Sequence, residues 1–296
     1  MVSDIYMANT TAGECLFLED IDDVLVSNFL GEVASGAYAC LHIKGVCNDI
    51  ELSNVAVSAA QQSGSWACLI EKSTNGTPGN ISWHGGEAIS ADIGIQVTDL
   101  TGSLRIANVD VEFNNITGLY VPSTGTISTA TLRCFGVLFK GNNAAAGTGY
   151  DADIEATASA LNGSFTGCTF ASTGITHSMK LVGNNLLTLS QCVNASGKSA
   201  SQFFTGAVAK STRDCSGLNP WGAWNPQPSF SNGVALTNTF GADSTVYLMS
   251  GSVTGVTIQG SVGTAVAVNT SGPWRWPAGS AITFSFTSAT FETIGD

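Results

Sequence analysis

Three acidic residues near the middle of the chain have a spacing that suits carbohydrate chemistry. Asp110 and Glu112 are separated by one apolar residue, so both would point to the same outward face of a β-strand. Glu87 lies about one sequence repeat earlier. If Glu87 and Asp110 occupy equivalent positions on neighbouring strands, their carboxylates lie roughly 5–6 Å apart. Carboxylates about 5–5.5 Å apart suit a retaining glycosidase, and those about 6.5–9.5 Å apart suit an inverting one.

The chemistry of such a group is general acid–base catalysis. One acid protonates the glycosidic oxygen and another activates water, each typically worth about 10²–10⁴-fold in rate. Crowded carboxylates raise one another's pKa, as a general acid requires. The alternative is that Glu87, Asp110 and Glu112 are solvated surface residues or bind an adventitious cation. A shift of one residue at the pair Gly85-Gly86 would turn Glu87 inward and remove it from the group.

A second acidic cluster follows in the segment YDADIEA, residues 150–156. Asp151, Asp153 and Glu155 alternate there, so we expect their side chains to share one face. They are the second choice for catalysis, and Ca²⁺ binding or a plain charged face are the alternatives. No other cofactor and no metal site are predicted.

Aromatic residues near these acids are candidates for substrate binding. Trp83, Tyr120 and Tyr150 lie on or beside predicted strands, and an aromatic ring exposed on a polar wall can stack on a sugar. Trp83 also has a core alternative, because its position two residues before Gly85 predicts an inward side chain. The three histidines have no Ser or Cys partner in the pattern, so a nucleophilic triad is not indicated.

A repeated pattern must position all of these side chains. The motif apolar-x-Asn-apolar-x-apolar recurs about every 23 to 33 residues, with its asparagines at Asn28, Asn54 and Asn108. A period of this length indicates units that stack to bury a common core. The inward alternation slips by one residue across each Asn, which tolerates the left-handed conformation of a corner. The sequence therefore predicts an all-β fold in which each coil is one turn of a parallel β-helix.

Composition restricts the partners. Charged residues are 11% of the chain and the net charge is −12, so nucleic acid and membrane surfaces are disfavoured and uncharged ligands are favoured. No apolar run is long enough for membrane insertion. The eight cysteines form no CxxC motif, and several fall in register with the repeat. We therefore expect no zinc site but free, buried thiols assembled in a reducing cytosol.

Three regions are predicted along the chain. Residues 1–210 form the parallel β-helix of about seven coils. Residues 211–230 are a linker rich in Pro and Trp, which interrupts the strand ladder. Residues 231–296 contain apolar strands linked by Gly turns and form a small antiparallel, β-sandwich-like domain.

The C-terminal sequence carries a family resemblance. It runs VYLMSGSVTGVTIQG and then TSGPWRWPAGSAITFSFTSATFETIGD, with a Pro-Ala-Gly-Ser turn before the last long strand. This layout resembles phage tail proteins of the tailspike kind, and it departs from them at Ala289-Thr290-Phe291, where Pro and Trp are usual. The resemblance implies a right-handed β-helix, a C-terminal trimerisation domain, a homotrimer in the virion tail assembled in the host cytoplasm, and host cell-surface polysaccharide as partner.

Three functions follow as hypotheses. The first is a phage tail spike or tail-fibre protein that binds a host polysaccharide and could depolymerise it as a glycoside hydrolase. The second is a structural or adhesive β-helix without enzymatic activity. The third is a free polysaccharide hydrolase or lyase of cellular origin. A lyase acting on uronates is the less expected enzyme, because basic residues are few and no Arg-x-x-Arg-like element occurs on a coil.

Overall fold

The chain folds as a parallel β-helix of about seven turns followed by an antiparallel sheet, which confirms the predicted fold class. The computed structural model describes residues 1–9, 13–127, 130–142, 149–155, 161–182, 186–198, 203–205, 209–213, 215–216, 222–223, 229–238, 243–260 and 263–295.

The described elements are β-strands. In the helical part they are β1 (Val2–Asn9), β2 (Leu16–Glu19), β3 (Leu25–Val33), β4 (Ala39–Lys44), β5 (Ile50–Ala59), β6 (Trp66–Glu71), β7 (Ile81–Ile89), β8 (Ile93–Val97), β9 (Ser103–Glu112), β10 (Thr117–Val121), β11 (Thr131–Phe135), β12 (Leu138–Lys140), β13 (Tyr150–Ile154), β14 (Asn162–Thr166), β15 (Thr169–Phe170), β16 (Met179–Leu181), β17 (Leu186–Ser190), β18 (Val193–Asn194), β19 (Phe204–Thr205) and β20 (Ala209–Arg213). The C-terminal part contains β21 (Gly222–Ala223), β22 (Ala235–Thr237), β23 (Ser244–Gln259), β24 (Val266–Val268), β25 (Trp274–Trp276) and β26 (Ala281–Gly295).

Each coil contributes one strand to each of two parallel sheets. The first sheet has the order β1-β3-β5-β7-β9-β11-β14-β17-β20, with β12, β15 and β18 stacked beside the end of β9. The second sheet has the order β2-β4-β6-β8-β10-β13-β16-β19. A corner residue divides the strands of the first sheet. We call the parts before it (for example 81–84 and 104–107) the first wall, the parts after it (86–89 and 109–112) the second wall, and the second sheet the third wall.

The corner of the first sheet is a stack of residues in the left-handed conformation. Asn28, Asn54 and Asn108 have φ of 50°, 52° and 54°, and the strand registers place them one above another, as predicted. The same position is occupied on other coils by Gly85, Gly136, Gly167 and Gln191, all with positive φ. Asn54 Nδ2 donates to Asn28 Oδ1 at 3.0 Å. The stacked amides therefore bind neighbouring coils to each other.

The core is a set of apolar columns that run along the helix axis. One column on the first wall pairs Leu52 with Trp83 and Trp83 with Ile106, and all three are buried. All eight cysteines are free and buried, which confirms the prediction of buried thiols. Burial raises the pKa of Cys68 and Cys134, so these thiols remain protonated.

The helical ladder extends beyond the predicted boundary at residue 210. Strand β20 pairs in parallel with β17 up to Arg213, and Ser216 bridges Val193. The long strands β23 and β26 pair antiparallel, and their sheet has its own core of Val246, Val256, Trp274, Trp276, Ile282 and Phe284. Trp221 and Trp224 of the predicted linker lie outside the described residues.

We expect Asn54→Ala to destabilise the protein by about 1–2 kcal/mol, because an ordinary L-residue pays roughly this cost in the left-handed conformation. The variant also loses the amide bond to Asn28. Asn54→Gly should cost less, since glycine adopts positive φ freely. Chemical unfolding measures all three proteins, with Ser53→Ala as the neighbouring control. Equal stabilities of the Ala and Gly variants would contradict the role of the corner conformation.

Candidate functional site

The first-choice acids lie together on the second wall. The register pairs Glu87 with Asp110 directly across β7 and β9, and both side chains are exposed. Gly85, with φ of 71°, is the corner residue that aligns with Asn108, so Glu87 points outward. Glu112 lies two residues beyond Asp110 on the same strand, and its carboxylate is 4.0 Å from Lys140 Nζ.

The environment of Glu112 favours its protonated form. Partial burial raises the pKa of this carboxyl, Lys140 lowers it, and the carboxylates of Asp110 and Glu87 raise it again. Asp110 and Glu87 therefore lie near enough to repel the ionised form of Glu112. The sequence did not indicate Lys140, which is paired with Glu112 by the stacking of β12 on β9.

Asp151 does not share an outward face with Asp153 and Glu155, contrary to the sequence expectation. On the third wall the alternation of inward and outward side chains also shifts by one residue. The pairing of neighbouring strands skips one inward residue, and on β13 that residue is Asp151. Asp151 and the next residue, Ala152, are consequently both fully buried. Alternation predicted from sequence fails here because the equivalent position holds Ala67, Gly94 and Gly118 on other coils, and no single residue type marks it.

Asp151 belongs to a buried polar network beside this corner. Its Oδ1 accepts from Asn142 Nδ2 at 3.1 Å and from the hydroxyl of Ser172. Asn142 Oδ1 accepts from Asn114 Nδ2 at 3.0 Å on the preceding coil, and Lys198 is near enough to act electrostatically. Burial raises the pKa of Asp151 to about 7, against these hydrogen bonds and Lys198. The network holds coils together from inside and does not face a ligand.

Trp83 is a core residue and does not lie on the outer wall. Its side chain is 1% exposed, and its indole nitrogen donates to the carbonyl of Gly85 at 3.0 Å. The reason is its register between Leu52 and Ile106, whose side chains line the same inner column. Trp83 is therefore not available for the sugar contact that was one of its sequence-based interpretations.

The other predicted binding residues converge on the third wall. Tyr120, Tyr150, Asp153 and Glu155 line one groove of about 330 Å³ together with Lys180. Ile93, Ile116 and Thr117 complete its floor and rim. We call this the third-wall groove. Thus the tyrosines assigned to substrate binding and two of the second-choice acids meet on neighbouring coils.

Polar contacts link the acids of the groove. The Tyr120 hydroxyl donates to Glu155 Oε2 at 3.5 Å. Lys180 Nζ lies 3.6 Å from Asp153 Oδ2 and forms a second ion pair with Glu155. Lys180 Nζ also lies 5.6 Å from the centre of the Tyr150 ring. Lys180 was missed in the sequence because it is one coil away, although its register partner is Asp153.

Asp153 is the group in the groove best suited to donate a proton. Burial raises the pKa of its carboxyl to about 6, and Lys180 opposes this increase. One of its oxygens, Oδ1, is buried without a hydrogen-bond partner among the described residues. A buried acid with a raised pKa and an unsatisfied oxygen is typical of functional sites.

Beyond the groove, polar and aromatic side chains follow the third wall toward the N-terminal coils. Gln96 is the register neighbour of Tyr120, and Trp66 is stacked one coil further on, where its indole nitrogen donates to Gln96 Oε1 at 2.8 Å. From Lys180 to Trp66 the wall spans four strand spacings, roughly 19 Å. Half-buried aromatic rings and amides therefore form a continuous track along the axis.

Within the described ranges no group of three or more His, Cys, Asp or Glu side chains is placed to hold a metal ion. Asp151, which the sequence grouped with Asp153 and Glu155 as a Ca²⁺ alternative, is on the inside of the coil. In the part of the chain that the structure describes, no helix has the length and apolarity to span a bilayer.

We expect Asp151→Asn to change how stability depends on pH. The folded-state pKa is raised from 3.8 to about 7, so the proton stabilises the fold at low pH and wild-type stability falls as pH rises from about 4 to about 7. Asn does not titrate, so the free energy of unfolding of the variant should rise relative to that of wild type across this pH window, by at most about 4 kcal/mol. Chemical unfolding at pH 4.5 and pH 8 measures the gain, with the exposed Glu32→Gln as control. If variant and wild type differ in unfolding free energy by the same amount at both pH values, Asp151 is not a buried group that titrates in this range.

No protein-family model matches the chain, and no curated protein compared with it matches either, so the geometry of the described residues is the ground on which a function can be proposed.

Proposed function

We propose that the protein is a receptor-binding protein that recognises a host surface polysaccharide through the third-wall groove. The observation that carries the proposal is the convergence of Tyr120, Tyr150, Asp153, Glu155 and Lys180 around one groove. Aromatic surface with a few polar groups is the usual composition of a small-ligand site. The parallel coils extend this composition along the axis, as a polymer requires.

The groups of the groove have separate roles in binding. The rings of Tyr120 and Tyr150 offer apolar faces to a sugar, while the hydroxyl of Tyr120 is held toward Glu155. Asp153, Glu155 and Lys180 supply acceptors and a donor for sugar hydroxyls. Because Lys180 neutralises part of the acidic charge, the groove suits an uncharged sugar residue.

Cleavage in the same groove would use its two acids. Asp153 and Glu155 are two residues apart in the sequence and both form ion pairs with Lys180 Nζ, so their carboxylates face the same part of the groove. Asp153, with its pKa raised to about 6, would protonate the glycosidic oxygen. Glu155 would activate water. The second-wall acids Glu87, Asp110 and Glu112 are the other candidate site, and the two sites are separable by mutation.

The biological setting proposed is the tail of a phage, with the chain acting as a homotrimeric spike or fibre. The parallel β-helix followed by a β-rich C-terminal part supports this, as does the resemblance of the last 50 or so residues. Apolar side chains exposed on the C-terminal sheet offer a surface for other copies of the chain: Tyr247 is 38% exposed, Met249 59% and Val266 61%. The adhesive β-helix and the free hydrolase remain the alternatives.

We expect the double variant Tyr120→Ala/Tyr150→Ala to bind a recognised capsular or O-antigen polysaccharide about tenfold more weakly or worse. Loss of one well-packed aromatic contact of about 1.4 kcal/mol already corresponds to tenfold in affinity. Titration calorimetry on polysaccharides from a strain panel measures the loss. Tyr6→Ala, a 64% exposed tyrosine of β1, is the matched control. Unchanged binding by the double variant would move the site elsewhere.

Incubation of the protein with the same polysaccharides, followed by a measurement of new reducing ends, distinguishes binding from cleavage. New reducing ends that vanish in Asp153→Asn and persist in Asp110→Asn and Glu112→Gln would assign hydrolysis to the groove. Activity should then fall as pH rises above about 6, because the acid must carry its proton. The reverse pattern would assign hydrolysis to the second wall, and binding without reducing ends would establish the adhesive function.

We expect removal of residues 231–296 to abolish the trimer, since the exposed apolar strands of the C-terminal sheet need a partner surface and closed symmetry supplies one. Light scattering on the full chain and the shortened chain gives the oligomeric states. A full-length variant with Met249→Ser and Val266→Ser tests the same surface without deletion. A shortened chain that remains trimeric would refute the assignment.

A further inference from the structure

Two arginines face each other on the first wall. The register pairs Arg105 of β9 directly with Arg133 of β11, so they occupy adjacent positions about 4.8 Å apart along the axis. Both side chains are exposed. The sequence separates them by a full coil, and only the stacking of the coils brings them together.

The pair lacks acidic partners. Among the described residues, no ion pair or hydrogen bond is formed by the side chain of Arg105 or of Arg133. Five other basic residues each form an ion pair with a carboxylate: Lys44, Lys72, Lys140, Lys180 and Arg275. The side chains of Lys210 and Arg213 lie outside the described residues. Like charges directly opposite one another destabilise a sheet. An anion bound between the guanidinium groups would relieve this repulsion.

The neighbours of the pair are polar or small. In the same column Ser82 precedes Arg105 and Ser164 follows Arg133, so hydroxyl groups flank the cations along the axis. In the next outward column Ala107 lies between His84 and Phe135. Ala107 is smaller than either of these neighbours, and the Phe135 ring is 41% exposed.

We propose that this part of the first wall binds an acidic sugar residue, with its carboxylate or sulfate held by Arg105 and Arg133. Guanidinium groups bind such oxyanions through paired N–H donors. The sugar ring would lie over Ala107 and against Phe135. The inference rests on the proposed glycan-binding function and adds to it a second subsite, on a different wall, that selects acidic repeating units.

Charge explains why an acidic glycan would need such a subsite. The chain carries a net charge of −12, so it repels an anionic polymer at long range. Two neighbouring arginines without acidic partners provide the local positive charge that a uronate or sulfated sugar requires. Two arginines are few for nucleic acid, whose binding depends on neutralising many phosphates.

The test compares charged and neutral probes on the full-length protein. The probes are a hexuronate oligosaccharide, its carboxyl-reduced neutral counterpart, a sulfated neutral oligosaccharide and a single-stranded DNA oligonucleotide. The variants are Arg105→Gln/Arg133→Gln, the charge-conserving Arg105→Lys/Arg133→Lys, and Lys72→Gln/Arg275→Gln, which removes two charges elsewhere. Calorimetry at low and moderate salt gives the affinities, and thermal unfolding confirms that each variant is folded.

We expect wild type and Lys72→Gln/Arg275→Gln to bind an acidic probe at least tenfold more tightly than the neutral one. The Gln double variant should lose this preference and its salt dependence, and the Lys double variant should keep part of both. The hexuronate and sulfated probes distinguish carboxylate from sulfate. If no acidic glycan binds wild type more tightly than the Gln double variant, or if DNA binds equally well, the proposal is overturned.

The variant Tyr120→Ala/Tyr150→Ala separates this inference from the proposed function. If this variant keeps both the full affinity and the preference for acidic probes, and the arginine variant loses the preference, the first-wall subsite is retained and the third-wall groove is refuted. Binding that depends on the tyrosines but ignores charge would refute the first-wall subsite alone.

Discussion

The stacking register of the coils is the constraint on which every wall depends. Side chains alternate with a period of two, so a slip of one residue would exchange core and surface along a whole strand. The left-handed corner residues prevent such a slip on the first sheet, because Asn28, Asn54, Gly85 and Asn108 must all coincide. Amide contacts between corners hold the alignment. The outward columns of acids, tyrosines and arginines are consequences of this single register.

Basic residues are few, and among the described residues several of them offset neighbouring carboxylates. Lys180 offsets the charges of Asp153 and Glu155, and Lys140 offsets that of Glu112. Where compensation is incomplete, burial dominates and carboxyl pKa values rise, as in Asp151 and Asp153. The first of these acids lies in a buried polar network and the second faces a groove. Their similar pKa shifts therefore have different meanings, and geometry distinguishes them.

A β-helix can present different chemistry on each of its walls because the walls share only the core. The second wall carries crowded carboxylates, the third wall an aromatic and ionic groove, and the first wall an unpaired cation pair. All run parallel to the axis, so a polymer lying on any wall meets equivalent positions of successive coils. This arrangement is the physical reason for proposing a repeating polymer as the ligand.

The sequence alone determined the fold, the Asn corners and the outward pairing of Glu87 with Asp110. These follow from local alternation and from a corner that has a recognisable residue. The tertiary structure decided the inward position of Asp151, the burial of Trp83, and the neighbours Lys180 and Arg133. The third-wall corner has no shared residue type, so its phase slip is invisible in the sequence. Contacts between coils depend on the length of each return loop, which local pattern does not specify.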